Sequence, residues 1–151
     1  MNLTYELVVS YLLAQVPALQ PEYDRLAKQE GEAPSPYLVF GDVLAPYLRR
    51  LLTADDSESL THLFGAVEEL ARSEDPKVRN LVAIEILEPL VGPKAGGPGR
   101  RAVPFFGAAT TVLANEINSH MTELDRRYSS LPLLTKIRWI LKIGSPPRPR
   151  P

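Results

Sequence analysis

The chain has 151 residues, a net charge of −1 and 44 % hydrophobic residues, values that favour one globular domain with its own core. It contains no cysteine, which excludes disulfides, thiolate metal sites and thiol catalysis. The N-terminus lacks the basic start of a secretory signal, and no apolar run approaches the roughly 20 residues needed to span a bilayer. We therefore expect a soluble, cytoplasmic protein.

The two halves of the chain differ in charge. Residues 1–93 hold 15 acidic against 7 basic residues, whereas residues 94–151 hold 3 acidic against 10 basic residues. The halves could fold together and partly neutralise each other, or they could form two differently charged docking surfaces.

Apolar residues recur at helical spacing through most of the chain. The spacing predicts helices over residues 3–16, 21–30, 37–52, 57–73, 75–91, 104–127 and 131–143. Pro46 predicts a bend in the third of these, and the glycines of residues 92–103 predict a flexible loop. The prediction is an all-α, single-domain bundle of about six helices over residues 1–143, followed by a flexible Pro/Arg tail over residues 144–151.

The segment from Asp75 to Val91 has the clearest local signals for a helix. The Asp75 carboxylate can cap free N–H groups, Pro76 fits the first helical position, and Gly92 follows the end of the helix. Its apolar residues surround nearly the whole circumference, which is typical of a buried helix. We expect this helix to form the centre of the core.

Glu85 is the residue of this helix that does not fit an apolar environment. A partly buried carboxylate must be paired or have its pKa raised. We expect an ion pair with Arg49, Arg50 or Arg79, and the alternative is a catalytic acid.

Two resemblances follow from these segments. Residues 57–91, which include the run SLTHLFGAVEELARSEDPKVRNLVAIEILEPLV from Ser59 onward, resemble one HEAT-type helical hairpin, with Asp75, Val78 and Arg79 at the D-x-x-V-R start of the second helix. No second D-P-x-V-R copy occurs, so the resemblance implies a hairpin and not a solenoid.

The segments PALQPEYDRLA, PYLVFGDVLAPYL and DPKVRNLVAIEILEPL resemble a family of small, uncharacterised, bacterial all-helical proteins over roughly residues 1–91. Some members of that family look like immunity proteins that neutralise partner toxins. The resemblance implies a non-enzymatic protein whose partner is another protein.

The region around residues 55–69 is the most acidic part of the chain. Its acidic side chains are predicted to lie opposite the apolar side of a helix, where they could bind a basic toxin domain and inhibit it. These predicted partner-binding residues are Asp55, Asp56, Glu58, Glu68 and Glu69.

The predicted helix over residues 131–143 is basic and amphipathic, with Lys136, Arg138, Trp139 and Lys142 outside its apolar stripe. It could close the core, lie on an anionic membrane surface, or enter the groove of another protein. The alternative function is therefore a peripheral membrane or adaptor module that acts through this helix.

Enzymatic and metal sites are disfavoured. Glu116, His120 and Glu123 share a helix face and could ligate a metal, but the second Glu-x-x-His of a di-metal bundle is missing. Arg100 and Arg101 precede a helix without the P-loop motif, and no Gly-x-Ser-x-Gly elbow occurs. We expect no enzyme activity, no metal and no cofactor. Nucleic-acid binding is disfavoured because few aromatic residues accompany the basic ones.

Overall fold

The computed structural model describes residues 2–92 and 95–129, and all the regular elements within these residues are helices. They are α1 (Val8–Gln15), α2 (Gln20–Glu30), α3 (36–54), α4 (Ser57–Ala71), α5 (76–91), α6 (Gly97–Ala102) and α7 (Ala108–Ser129). Short 3-10 turns lie before α2, at Pro17–Leu19, and after α6, at Val103–Phe105. The all-α prediction is confirmed, with seven helices in the described part against about six predicted.

One cluster of buried apolar side chains connects the helices. Phe64 of α4 belongs to this cluster and is 1 % exposed. Its ring packs against those of Phe105 and Phe106, with centroid distances of 6.3 and 5.2 Å. Because these two residues lie between α6 and α7, the contact anchors the start of α7 on the core.

The start of α5 confirms the predicted cap. Asp75 accepts a hydrogen bond from the N–H of Lys77 at 2.9 Å, and Pro76 occupies the first helical position. The second carboxylate oxygen accepts the N–H of Tyr5 at 2.8 Å, which attaches the N-terminal segment to the same helix end. One side of the helix is buried, whereas Lys77, Asn80 and Ile84 lie exposed on the other, with Ile84 at 42 % exposure. The prediction of a helix that is buried around nearly its whole circumference is therefore wrong.

Two helices widen into π-helical turns just before an internal proline. The π turn Val39–Leu44 precedes Pro46 in α3, and Ala83–Leu87 precedes Pro89 in α5. A proline inside a helix donates no N–H and crowds the preceding turn, and a wider turn relieves that crowding. Pro46 therefore does not end α3. The two π turns pack against each other.

Residues 92–103 were predicted as a flexible loop, and this prediction is wrong for part of the segment. Gly97–Ala102 forms α6, and Gly99 is buried against α5. A Cβ at Gly99 would overlap the main-chain carbonyl of Leu90, so glycine is required there by a close approach of two backbones. The glycine content of this segment predicted flexibility, whereas Gly99 permits α6 to pack tightly against α5.

Candidate functional site

The turn between α3 and α4 carries exposed carboxylates. Asp55 ends the Ala45–Ala54 part of α3 in the left-handed conformation, with φ at 56°, and Glu58 lies in the first turn of α4. Both side chains are exposed, and neither forms an ion pair with a residue that the structure describes. Both are therefore accessible to a partner.

Asp56, between them, has a structural role. Its carboxylate accepts the N–H of Ser59 at 3.1 Å and the Ser59 hydroxyl at 2.8 Å, which caps the start of α4. These two hydrogen bonds lower the pKa of Asp56. The residue is half-buried and holds the turn in place. We call Asp55, Asp56 and Glu58 together the acidic corner.

Glu68 does not lie on the exposed acidic surface where the sequence placed it. Its side chain is 10 % exposed, and the residue as a whole is buried. The two carboxylate oxygens accept the N–H groups of Ala109 and Thr110, both at 2.9 Å, and the Thr110 hydroxyl at 2.7 Å. Arg72 also approaches the carboxylate at 3.2 Å. Glu68 therefore caps the N-terminus of α7 and is not available to a partner.

The charge state of Glu68 follows from these contacts. Burial alone would raise the pKa of its carboxyl group. The N–H groups of Thr110 and Ala109, the Thr110 hydroxyl and the Arg72 guanidinium outweigh burial and lower the pKa. A negative charge is thus held at the positive end of the α7 dipole.

The α7 helix begins later than predicted because of this cap. The sequence predicted a start at Pro104, but the helix begins at Ala108. The preceding segment ends in Phe106, whose backbone is extended, and Gly107, whose Cα lies against the Glu68 carboxylate. A Cβ at Gly107 would overlap that carboxylate.

Glu69 is the one predicted partner-binding residue beyond the acidic corner that remains exposed. Its carboxylate pairs with Arg72 at 3.0 Å. It lies eleven residues after Glu58, about 16 Å further along the same side of α4. Between them, His62 donates its ring Nε2–H to the carbonyl of Gln15 at 2.6 Å, so this side of α4 borders the end of α1.

The predicted ion pair of Glu85 is not present. Glu85 forms no salt bridge with a described residue, and Arg79 instead donates to the Ser73 carbonyl at 2.8 Å. Arg49 and Arg50 line a groove that Glu85 does not line. The sequence prediction assumed that a partly buried carboxylate has a cation beside it, and here no such cation is present among the described residues.

Glu85 is instead surrounded by like charges. Burial, Asp42 and Glu88 all raise the pKa of its carboxyl group. One carboxylate oxygen lies 3.0 Å from the position that a Cβ at Gly41 would occupy, so the two π turns meet at this pair. The described residues place no nucleophile or base in hydrogen-bond contact with Glu85, and the alternative of a catalytic acid gains no support.

The metal candidates on α7 lie on its surface. Glu116 and His120 are exposed, and Glu123 pairs with Arg126 and Arg127, both at 2.7 Å. Across residues 2–92 and 95–129, no group of three or more histidine, aspartate or glutamate side chains is arranged to hold a metal ion.

The basic residues of the predicted C-terminal helix, Lys136, Arg138, Trp139 and Lys142, lie outside the described residues. None of the helices in the described part has the length and hydrophobicity needed to cross a membrane.

These observations define an all-α protein with an exposed acidic corner and a buried glutamate that joins α4 to α7. A family model described as a domain of unknown function, DUF7674, matches residues 9–103, more than half of the chain. The chain therefore belongs to the DUF7674 family, in agreement with the predicted resemblance to an uncharacterised family. Comparisons with curated proteins and with solved structures found no match. The family match ends before α7 begins.

Proposed function

We propose that this protein is a non-enzymatic binding module that inhibits a basic toxin or effector domain, in the manner of an immunity protein. The acidic corner and Glu69 form the docking surface. The observation that carries the proposal is that Asp55 and Glu58 are exposed and form no ion pair with a described residue. Their carboxylates can therefore pair with lysine or arginine side chains without first breaking an internal contact.

The corner is held in one geometry before any partner arrives. Asp55 and Asp56 are the whole connection between α3 and α4, and each has a defined role at a helix end. Aspartate tolerates the left-handed conformation that Asp55 adopts. A docking surface that is already ordered loses less conformational entropy on binding, which favours affinity.

The charge of the first 93 residues supports a basic partner. Residues 1–93 carry 15 acidic against 7 basic residues, so their field attracts a positively charged domain over several ångströms and speeds its association. The α4–α5 pair, which resembles a HEAT-type hairpin, supplies a firm base for this surface. Within the proposal, the protein acts in the cytoplasm, where it would neutralise its toxin.

The test replaces two free carboxylates without disturbing a cap. Asp55→Asn with Glu58→Gln removes two charges and keeps side chains that suit both positions. The matched control, Glu30→Gln with Glu32→Gln, removes two exposed charges at the end of α2 and in the loop beyond it. The binding partner to assay is the product of the neighbouring reading frame, with the affinity measured by calorimetry at low and at physiological salt.

We expect the acidic-corner variant to bind at least about tenfold more weakly, with the control within about twofold, because paired charges contribute more than distant ones. Equal losses of affinity in both variants would mean that net charge, and not the position of the acidic corner, determines binding. An unchanged affinity in the acidic-corner variant would overturn the surface assignment. Glu68 is unsuited to this test because its replacement would uncap α7.

A further inference from the structure

An open groove of about 650 Å³ runs between α2 and the exposed side of α3. Arginines from both helices line it, namely Arg25 from α2 and Arg49 and Arg50 from α3. None of the acidic-corner residues lines it, although its lining ends at Ala54, the residue before Asp55. The proposed function leaves this groove without a role.

Two of these arginines have no carboxylate partner among the described residues. Arg49 and Arg50 are exposed and form no ion pair with a described residue, and the Arg50 guanidinium lies 5.7 Å from the centroid of the Tyr47 ring. Arg25 pairs with Glu22 at 2.9 Å, but its side chain is 69 % exposed, so water competes strongly for that contact. The groove therefore offers guanidinium groups whose five N–H donors suit carboxylates in bidentate geometry.

Arg100 and Arg101 of α6 add to the positive field of this region. Both are exposed, and α6 packs against the Ala45–Ala54 part of α3, which carries Arg49 and Arg50. Neither forms an ion pair with a described residue. Four exposed arginines thus lie on two adjacent helices.

The lining between the arginines is apolar. Val43, Pro46 and Ala54 contribute to it, and Val43 is only 3 % exposed. The α3 residues that line the groove run from 42 to 54, a length of about 18 Å along the helix. An extended peptide covers that distance with about five or six residues.

We propose that this groove binds a short acidic peptide segment of a protein partner. Its carboxylates pair with Arg49, Arg50 and Arg25, while its apolar side chains cover Pro46 and Ala54. A peptide fits better than a nucleic acid, because its carboxylates can be spaced so that they meet the arginines and avoid Glu22 and Asp42, which also line the groove. A continuous phosphate backbone would place negative charges beside both of these residues. The inference is independent of the proposed function, since it uses a different surface with the opposite charge.

The experiment uses the full chain and three labelled probes: a six-residue peptide of alternating glutamate and leucine, the matching lysine–leucine peptide, and six-nucleotide oligothymidine. Fluorescence anisotropy measures binding to the wild type, to Arg49→Gln with Arg50→Gln, and to Arg126→Gln with Arg127→Gln. The last pair is the matched control, because it removes two positive charges from α7. Circular dichroism checks that each variant keeps its helices.

We expect the glutamate peptide to bind to the wild type, and its binding should weaken as the salt concentration rises. Its affinity should be reduced about tenfold in the Arg49/Arg50 variant and should stay within about twofold of the wild-type value in the control. Chemical shift changes on binding should map to α2 and α3. Equal losses in both variants, preferred binding of the lysine peptide, tighter binding of the oligonucleotide, or no peptide binding at millimolar concentration would each overturn the inference.

Discussion

The Glu68 carboxylate accepts both the N–H of Thr110, at 2.9 Å, and its hydroxyl, at 2.7 Å, across 42 residues of sequence. A buried side chain of α4 thus caps α7, a helix of 22 residues whose own first positions, Ala108 and Ala109, supply no capping side chain. The contact joins the region matched by the DUF7674 family to a helix outside the match.

Glu68→Ala should lower the free energy of unfolding by about 2–4 kcal/mol. The substitution leaves the N–H groups of Ala109 and Thr110 without an acceptor in a partly buried place, and it removes one of the two carboxylates that pair with Arg72. Urea unfolding followed by circular dichroism measures the change. Glu69→Ala is the control, because its exposed ion pair contributes about 1 kcal/mol or less. Similar losses in the two variants would show that Glu68 is not a cap.

Gly107→Ala should destabilise the protein by roughly 1–3 kcal/mol, because its Cβ would overlap the Glu68 carboxylate. The cost should shrink when Glu68→Ala is also present, since the space is then free. A double-mutant cycle on urea unfolding measures this coupling. Additive effects would mean that the two residues do not interact in the folded protein.

The role of Glu68 also explains which features could be predicted from the sequence. The caps by Asp56 and Asp75 act within three residues, so local patterns are sufficient to predict such contacts, and the Asp75 cap was predicted. Glu68 depends on a segment 41 and 42 residues away. Two signals pointed to it, the position four residues after the buried Phe64 and the missing cap at the start of α7. Neither signal shows that Glu68 and the start of α7 contact each other, so the sequence pattern grouped Glu68 with Glu69.

The loss of folding stability at acidic pH should depend on Glu68. Its pKa is lowered in the folded protein below the ordinary value of 4.5. A lowered pKa gives stability that is complete above the unfolded-state pKa and is lost as the pH falls through the folded-state value. We expect the free energy of unfolding to fall steeply below about pH 4.5 in the wild type and less steeply in Glu68→Gln, as measured by urea unfolding across pH. Parallel curves would contradict this.

Glu85→Gln should raise the free energy of unfolding at pH 7 by roughly 0.5 kcal/mol, because the charged side chain faces Asp42 and Glu88. The pKa of Glu85 is raised in the folded protein, so its charge destabilises the fold above that pKa, and the penalty disappears as the pH falls below it. The gain should therefore be present at pH 7 and absent near pH 3. Glu32→Gln, at an exposed loop position, should change little at either pH. Lower stability of Glu85→Gln at pH 7 would mean that a cation does pair with Glu85.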